Sequence, residues 1–197
     1  TDSQESNVTV ETASDSGNYF EQAKMNKETS RSKSLEILNQ TAENESFDAD
    51  IRKKAGDKIL EEANNVQKES EIESIADSSL NVAKAVGRRN EQNVEFPEFI
   101  DEKLQHMMAI VDEALVVMCA NLTIEYKEVK AKKAYEVEQT INDYRTILQQ
   151  EHLTAIEEKK YDYATGIIYS DIFFECEKIG DYAINVTEAI KEIGSDN

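Results

Sequence analysis

Histidine, cysteine, glycine and basic residues are all scarce in this chain, and each scarcity closes off a class of chemistry. Only His106 and His152 represent histidine, and neither has a His or Cys partner at ligand spacing, so a zinc site is disfavoured. Cys119 and Cys176 form no Cys-x-x-Cys pair and sit among apolar neighbours, which predicts buried free thiols and a reducing compartment, with a disulfide still open. Six glycines, none in a Gly-x-Gly-x-x-Gly or phosphate-cradling run, argue against nucleotide binding. Against 22 basic residues stand 41 acidic ones, a net charge of −19, which repels phosphate backbones and anionic lipid and favours cations or basic surfaces. Nucleic acid is therefore excluded as an expected partner. No run reaches the roughly 20 apolar residues of a spanning helix. The best, 107–122, is broken by Asp112 and Glu113, so no direct membrane insertion of this chain is expected, and no charged, apolar leader opens it.

What is present is a repeat. Residues 71–86 and 175–190 share seven of sixteen positions, against about one by chance, at an offset of 104. The shared core is Glu-x-x-x-Asp-x-x-x-Asn: Glu73, Asp77 and Asn81, then Glu177, Asp181 and Asn185. On a helix this spacing places the three oxygen-bearing side chains on one face.

Periodicity predicts an all-α chain. Residues 1–16 are nearly devoid of apolar side chains and read as a disordered acidic tail. Residues 17–92 form a first helical unit, with a break at 44–46 and Ser46 or Asp48 capping a helix that runs to about Arg89. The lone proline, Pro97, marks the boundary to a second unit, 96–194. Three amphipathic segments follow, about 99–118, 123–153 and 156–193, predicting an antiparallel three-helix bundle. Applying the offset of 104 to the start of this bundle gives a position before Thr1, so the first bundle is expected to be truncated or substituted. Five Asn-x-Ser/Thr triplets occur, at Asn7, Asn39, Asn44, Asn121 and Asn185. Three lie in expected helices, which disfavours glycosylation.

The stretches Phe174–Ile190 and Glu71–Lys84 resemble the signature of PhoU proteins, in which a Glu-Arg-Ile-Gly-Asp-like run followed by Asn recurs in the last helix of each of two three-helix bundles. The wording is most similar to the PhoU-like domain of bacterial sodium/phosphate cotransporters, over about residues 70–194. The usual Arg after the first Glu is Ser74 or Lys178 here, and a second acidic pair of the middle helix reads as Glu138 and Asn142. The resemblance implies a regulator of phosphate transport that binds metal through Glu73, Asp77, Glu177 and Asp181. It also implies docking on a phosphate transporter or sensor protein, a cytoplasmic place peripheral to the inner membrane, and a homodimer as one open arrangement. Residues 18–70, through Asn18–Leu38 and Asp50–Leu60, resemble instead the helical entry of the stage III sporulation protein AH family. That resemblance implies a structural component of a sporulation channel, the extracytoplasmic part of a membrane-anchored protein.

Two accounts of the repeated motif follow from its chemistry. Carboxylates one turn apart repel by roughly 0.2–0.5 kcal/mol when exposed. A hard cation such as Mg, Mn, Fe or Ca would reverse that sign, with Asn81 or Asn185 adding a carbonyl oxygen. Alternatively, the carboxylates form salt bridges to Lys or Arg on neighbouring helices. No local sequence suggests a catalytic triad, so a non-enzymatic binding protein is expected, with a metal-dependent hydrolase on the same four carboxylates as the enzymatic alternative. His106 is expected at a helix border. Tyr161, Tyr163, Tyr169, Phe173 and Phe174 are expected as core packing with hydroxyls at the rim, and Met107, Met108 and Met118 as a core stripe.

Overall fold

The computed structural model describes residues 13–192, and among them every regular element is helical. In chain order these are α1 (Ala13–Glu43), α2 (Ala49–Glu91), α3 (Glu98–Leu122), a 3-10 turn (Tyr126–Glu128), α4 (Ala131–Glu157) and α5 (Tyr163–Glu192). Of the expected 1–16 tail, residues 1–12 lie outside the described range, whereas 13–16 already belong to α1. The chain divides into two compact units between Leu60 and Glu61, inside α2, not at the 92/96 boundary expected from Pro97.

In the first unit, α1 carries half-buried Leu35, Leu38 and Ala42 at helical spacing. The connection to α2 is built from short polar side chains. Asn44 Oδ1 accepts from the Ser46 amide at 2.9 Å and the Ser46 hydroxyl at 2.7 Å, forming a local turn. Asp48 Oδ1 then accepts from the amides of Asp50 and Ile51 at 2.8 and 3.1 Å, a helix N-cap; of the two expected caps the structure uses Asp48.

In the second unit, α3, α4 and α5 each pack on the other two, forming the three-helix bundle. From Tyr135 to Arg145 α4 advances ten residues while its α5 partners step back from Glu188 to Glu177, so this pair is antiparallel. Ile100, Met107, Ile141, Leu148, Ile172, Phe173 and Val186 are fully or almost fully buried at its centre. The C-terminal part of α2 adds Ala85, Ile75 and Val82 to the same core, and the 90–96 connection adds Val94 and Phe96. That connection is therefore part of the second unit's packing. The α4 and α5 segments start later than periodicity indicates, at Ala131 and Tyr163, because two stretches leave helix geometry.

Helices α2 and α4 close the same way. Asn93 and Lys159 take positive φ values of 50° and 55°. At the first, Val94 N–H bonds to Arg89 O and Asn93 N–H to Asn90 O; at the second, Lys160 N–H bonds to Ala155 O and Lys159 N–H to Ile156 O. Each is a left-handed cap that satisfies carbonyls of the last turn, without the glycine such caps favour.

The α3–α4 connection hangs on Asn121, which is 1% exposed. Its Oδ1 accepts from Lys130 N–H at 3.0 Å, and its Nδ2 donates to Thr187 Oγ1 at 3.4 Å. This Asn-x-Thr triplet thus serves as an internal strut. The expectation for the thiols is corrected at one of the two: Cys176 is buried, but Cys119 is exposed on the outer side of α3, and both are free. Burial pushes the Cys176 thiol up to about 12, with Glu175 beside it adding to the effect, so it remains a neutral apolar filler. Met107 and Met118 are core, whereas Met108 is exposed. Tyr169 and Phe173 are buried, Tyr163 is 77% exposed, and His106 sits at the exposed edge of α3 against the Tyr144 ring.

Candidate functional site

The two copies of the repeat lie on α2 and α5 and meet each other. Asn81 Nδ2 donates to Glu175 Oε2 at 3.3 Å, and Asn185 Nδ2 donates to Glu71 Oε2 at 3.2 Å. Glu71 and Glu175 are equivalent positions, as are Asn81 and Asn185, so each copy offers its Glu to the other's Asn. Ten residues forward on α2 correspond to ten backward on α5. The contact is therefore antiparallel and self-complementary, the pattern of an isologous pair related by a local pseudo-two-fold axis.

Electrostatics reinforce one half of the clamp. Burial raises the Glu175 carboxyl, but Lys178, Ser78 and Asn81 donate to it and outweigh that effect, holding it below the usual carboxylate range. Lys178 Nζ lies 2.8 Å from Glu175 Oε1. Further along the same helix pair, Arg88 binds Asp171.

The metal-ligand candidates sit elsewhere on these helices. Glu73 and Asp77 are exposed on α2. Glu177 and Asp181 are half-buried on α5 and face α4, where Arg145 Nη2 and Nε donate to Glu177 Oε1 at 2.6 and 2.9 Å. For Glu177 the structure thus realises the salt-bridge account of the motif. Asp181 is held above the usual carboxylate range, first by burial, then by the neighbouring Glu177 and Glu138, with Arg145 acting in the opposite sense. Glu138 accepts from Asn142 Nδ2 at 2.5 Å. The four candidate ligands are not gathered into one cluster, and among the described residues no three His, Cys, Asp or Glu side chains could hold a metal ion together. Asn81 and Asn185, considered as carbonyl ligands, present their Nδ2 groups to glutamates instead.

Sequence reasoning passed over Glu71 and Glu175, although both are identities of the repeat and open it. It also passed over Arg145, whose role needs α4 folded against α5 and has no local signal.

Comparison with known proteins bears on the first part of the chain. Among the described residues no helix is long and apolar enough to cross a membrane. No curated protein matches the chain, and no solved structure does. Residues 1–79 match the family model described as SpoIIIAH-like protein. The match takes in α1 and α2 as far as Ser79, including Glu73 and Asp77, so what is similar to that family is the helical entry, while the bundle of α3, α4 and α5 lies beyond it.

Proposed function

We propose that this chain is a structural assembly protein of the SpoIIIAH-like kind, a component of a sporulation channel that works by binding and not by turnover. The observation that carries this reading is the family match over residues 1–79. The helices under that match support it in chemical terms. They are strongly polar, yet they expose Met25, Ile37, Ile51, Leu60, Val66 and Ile72, each at least 39% accessible. Apolar side chains spaced along charged helices can anchor a partner helix while the charges set specificity. In this reading the chain is the extracytoplasmic part of a membrane-anchored protein, and its partners are other channel components.

A second reading is a PhoU-like regulator docking on a phosphate transporter or sensor from the cytoplasmic side, with metal held by Glu73, Asp77, Glu177 and Asp181. The observation favouring it is the reciprocal Glu–Asn contact, which makes the two repeat copies structural as well as sequence equivalents. One experiment separates the two. Deleting the coding region in the source organism should block sporulation and leave phosphate uptake unchanged. Normal sporulation with altered phosphate uptake would overturn the assembly reading and support the second.

A further inference from the structure

Helix α3 is apolar over more of its surface than the bundle covers. Its core side, from Ile100 through Met107 and Val111 to Met118, is buried. Along the rest of its surface Met108, Val116, Cys119 and Leu122 are exposed, and Leu115 is half-buried. Met108, Leu115 and Leu122 stand seven residues apart, with Val116 and Cys119 between them at helical spacing. Together they form one stripe of four turns, about 21 Å long. Single exposed apolar residues are ordinary surface, but a contiguous stripe marks an interaction site. Seven-residue spacing is that of a seam holding one helix against another, and methionine adapts such a seam to its partner.

One charge interrupts the stripe. Asp112 is exposed, and the side chains one turn before and after it on α3 are Met108, Ala109, Leu115 and Val116, so no base on its own helix reaches it. Its neighbour Glu113 pairs with Lys133 of α4, whereas Asp112 has no ion pair among the described residues.

We infer that this face of α3 docks a basic amphipathic helix of a partner protein, with a Lys or Arg of that helix against Asp112 and its apolar side chains on Met108, Leu115, Val116 and Leu122. Charge selects this occupant over a second copy of the chain. Two α3 stripes face to face would put two Asp112 carboxylates into one seam and bring together two chains of −19 each. A cationic helix relieves both costs. A lone polar residue in an apolar seam also fixes register, so Asp112 sets where the partner helix stops sliding. The site goes beyond the family match, which ends at Ser79, before α3 begins.

Cys119 lies in the stripe and is the exposed one of the two thiols, so its alkylation reports whether this face is covered. The test uses the full chain at physiological salt, N-ethylmaleimide as reagent, and a synthetic peptide of about 18 residues, long enough to form a helix, with leucines on one face and lysines on the other. The same peptide with glutamates in place of the lysines is the comparator. The expected result is one-to-one saturation by the lysine peptide, with alkylation of Cys119 slowing in proportion to occupancy. A cation merely near the thiol would favour the thiolate and speed the reaction, so slowing reports cover and not charge. Asp112→Lys should weaken the lysine peptide about tenfold, and Val116→Ser severalfold. Leu153→Ser, at an exposed apolar position of α4, should bind like the parent. Undiminished alkylation at saturating peptide, equal protection by the glutamate peptide, parent-like binding by Asp112→Lys, or equal weakening by Leu153→Ser would overturn the assignment. Slower alkylation on concentrating the chain alone would also overturn it, in favour of a second copy on this face.

Discussion

At the scale of single residues, the environment of Asp181 separates two uses of the same carboxylate. Burial and the adjacent Glu177 and Glu138 raise its pKa in the folded state above the unfolded value. The folded chain therefore binds the proton more tightly than the unfolded one, and stability falls as pH rises through the folded value. Asp181→Asn removes the charge without removing the bulk. The variant should be more stable than the parent at pH 7, and the gap should narrow as pH falls through the raised folded value. Urea unfolding across that range measures it, and a gap independent of pH would contradict the electrostatic account. Glu175 runs the other way: its donors hold it low, so its contribution is present at neutral pH and is lost as pH falls through its depressed value.

At the scale of elements, glycine usage exposes one local compromise. Lys159 adopts the left-handed region at φ 55° to close α4, a conformation that costs an L-residue roughly 1–2 kcal/mol. Lys159→Gly should stabilise the fold by about 1 kcal/mol, less the extra chain entropy of glycine, and Asn93→Gly should do less because Asn tolerates that region. Thermal melting of the two variants checks the order. Gly180, in contrast, is required by packing: a Cβ there would stand 2.7 Å from Ile141 Cδ1, whereas at Gly56 and Gly87 nothing lies within 4 Å.

At the scale of the whole molecule, the reciprocal clamp joins the C-terminal part of α2 to the bundle. Both halves place an Asn amide on a Glu carboxylate, so Asn81→Asp and Asn185→Asp each set two like charges against one another. Each should cost about 1 kcal/mol at neutral pH, and hydrogen exchange should rise in residues 67–88 before it rises in 98–192. Uniform exchange across both stretches would show that the clamp is not a separate cooperative element.

Much of this architecture is legible in the linear chain. The repeat at offset 104, the all-helical class, the Asp48 cap and the three amphipathic segments follow from local spacing, because helix periodicity and capping are properties of neighbours within a few residues. The unit division inside α2 and the displaced starts of α4 and α5 did not follow, since α2 continues as one helix through the division and nonhelical turns carry no hydrophobic period. The resemblance of the entry helices to the sporulation family rests on residues that the match to 1–79 also covers. For the repeat, sequence alone determined that Glu, Asp and Asn recur on one helix face. Only the tertiary structure decided which of them meet: Glu71 with Asn185, Glu175 with Asn81, and Glu177 with Arg145. The physical reason is range. A helix fixes the direction of its own side chains, but a hydrogen bond between residues 94 or 114 positions apart exists only once packing has brought the two helices together.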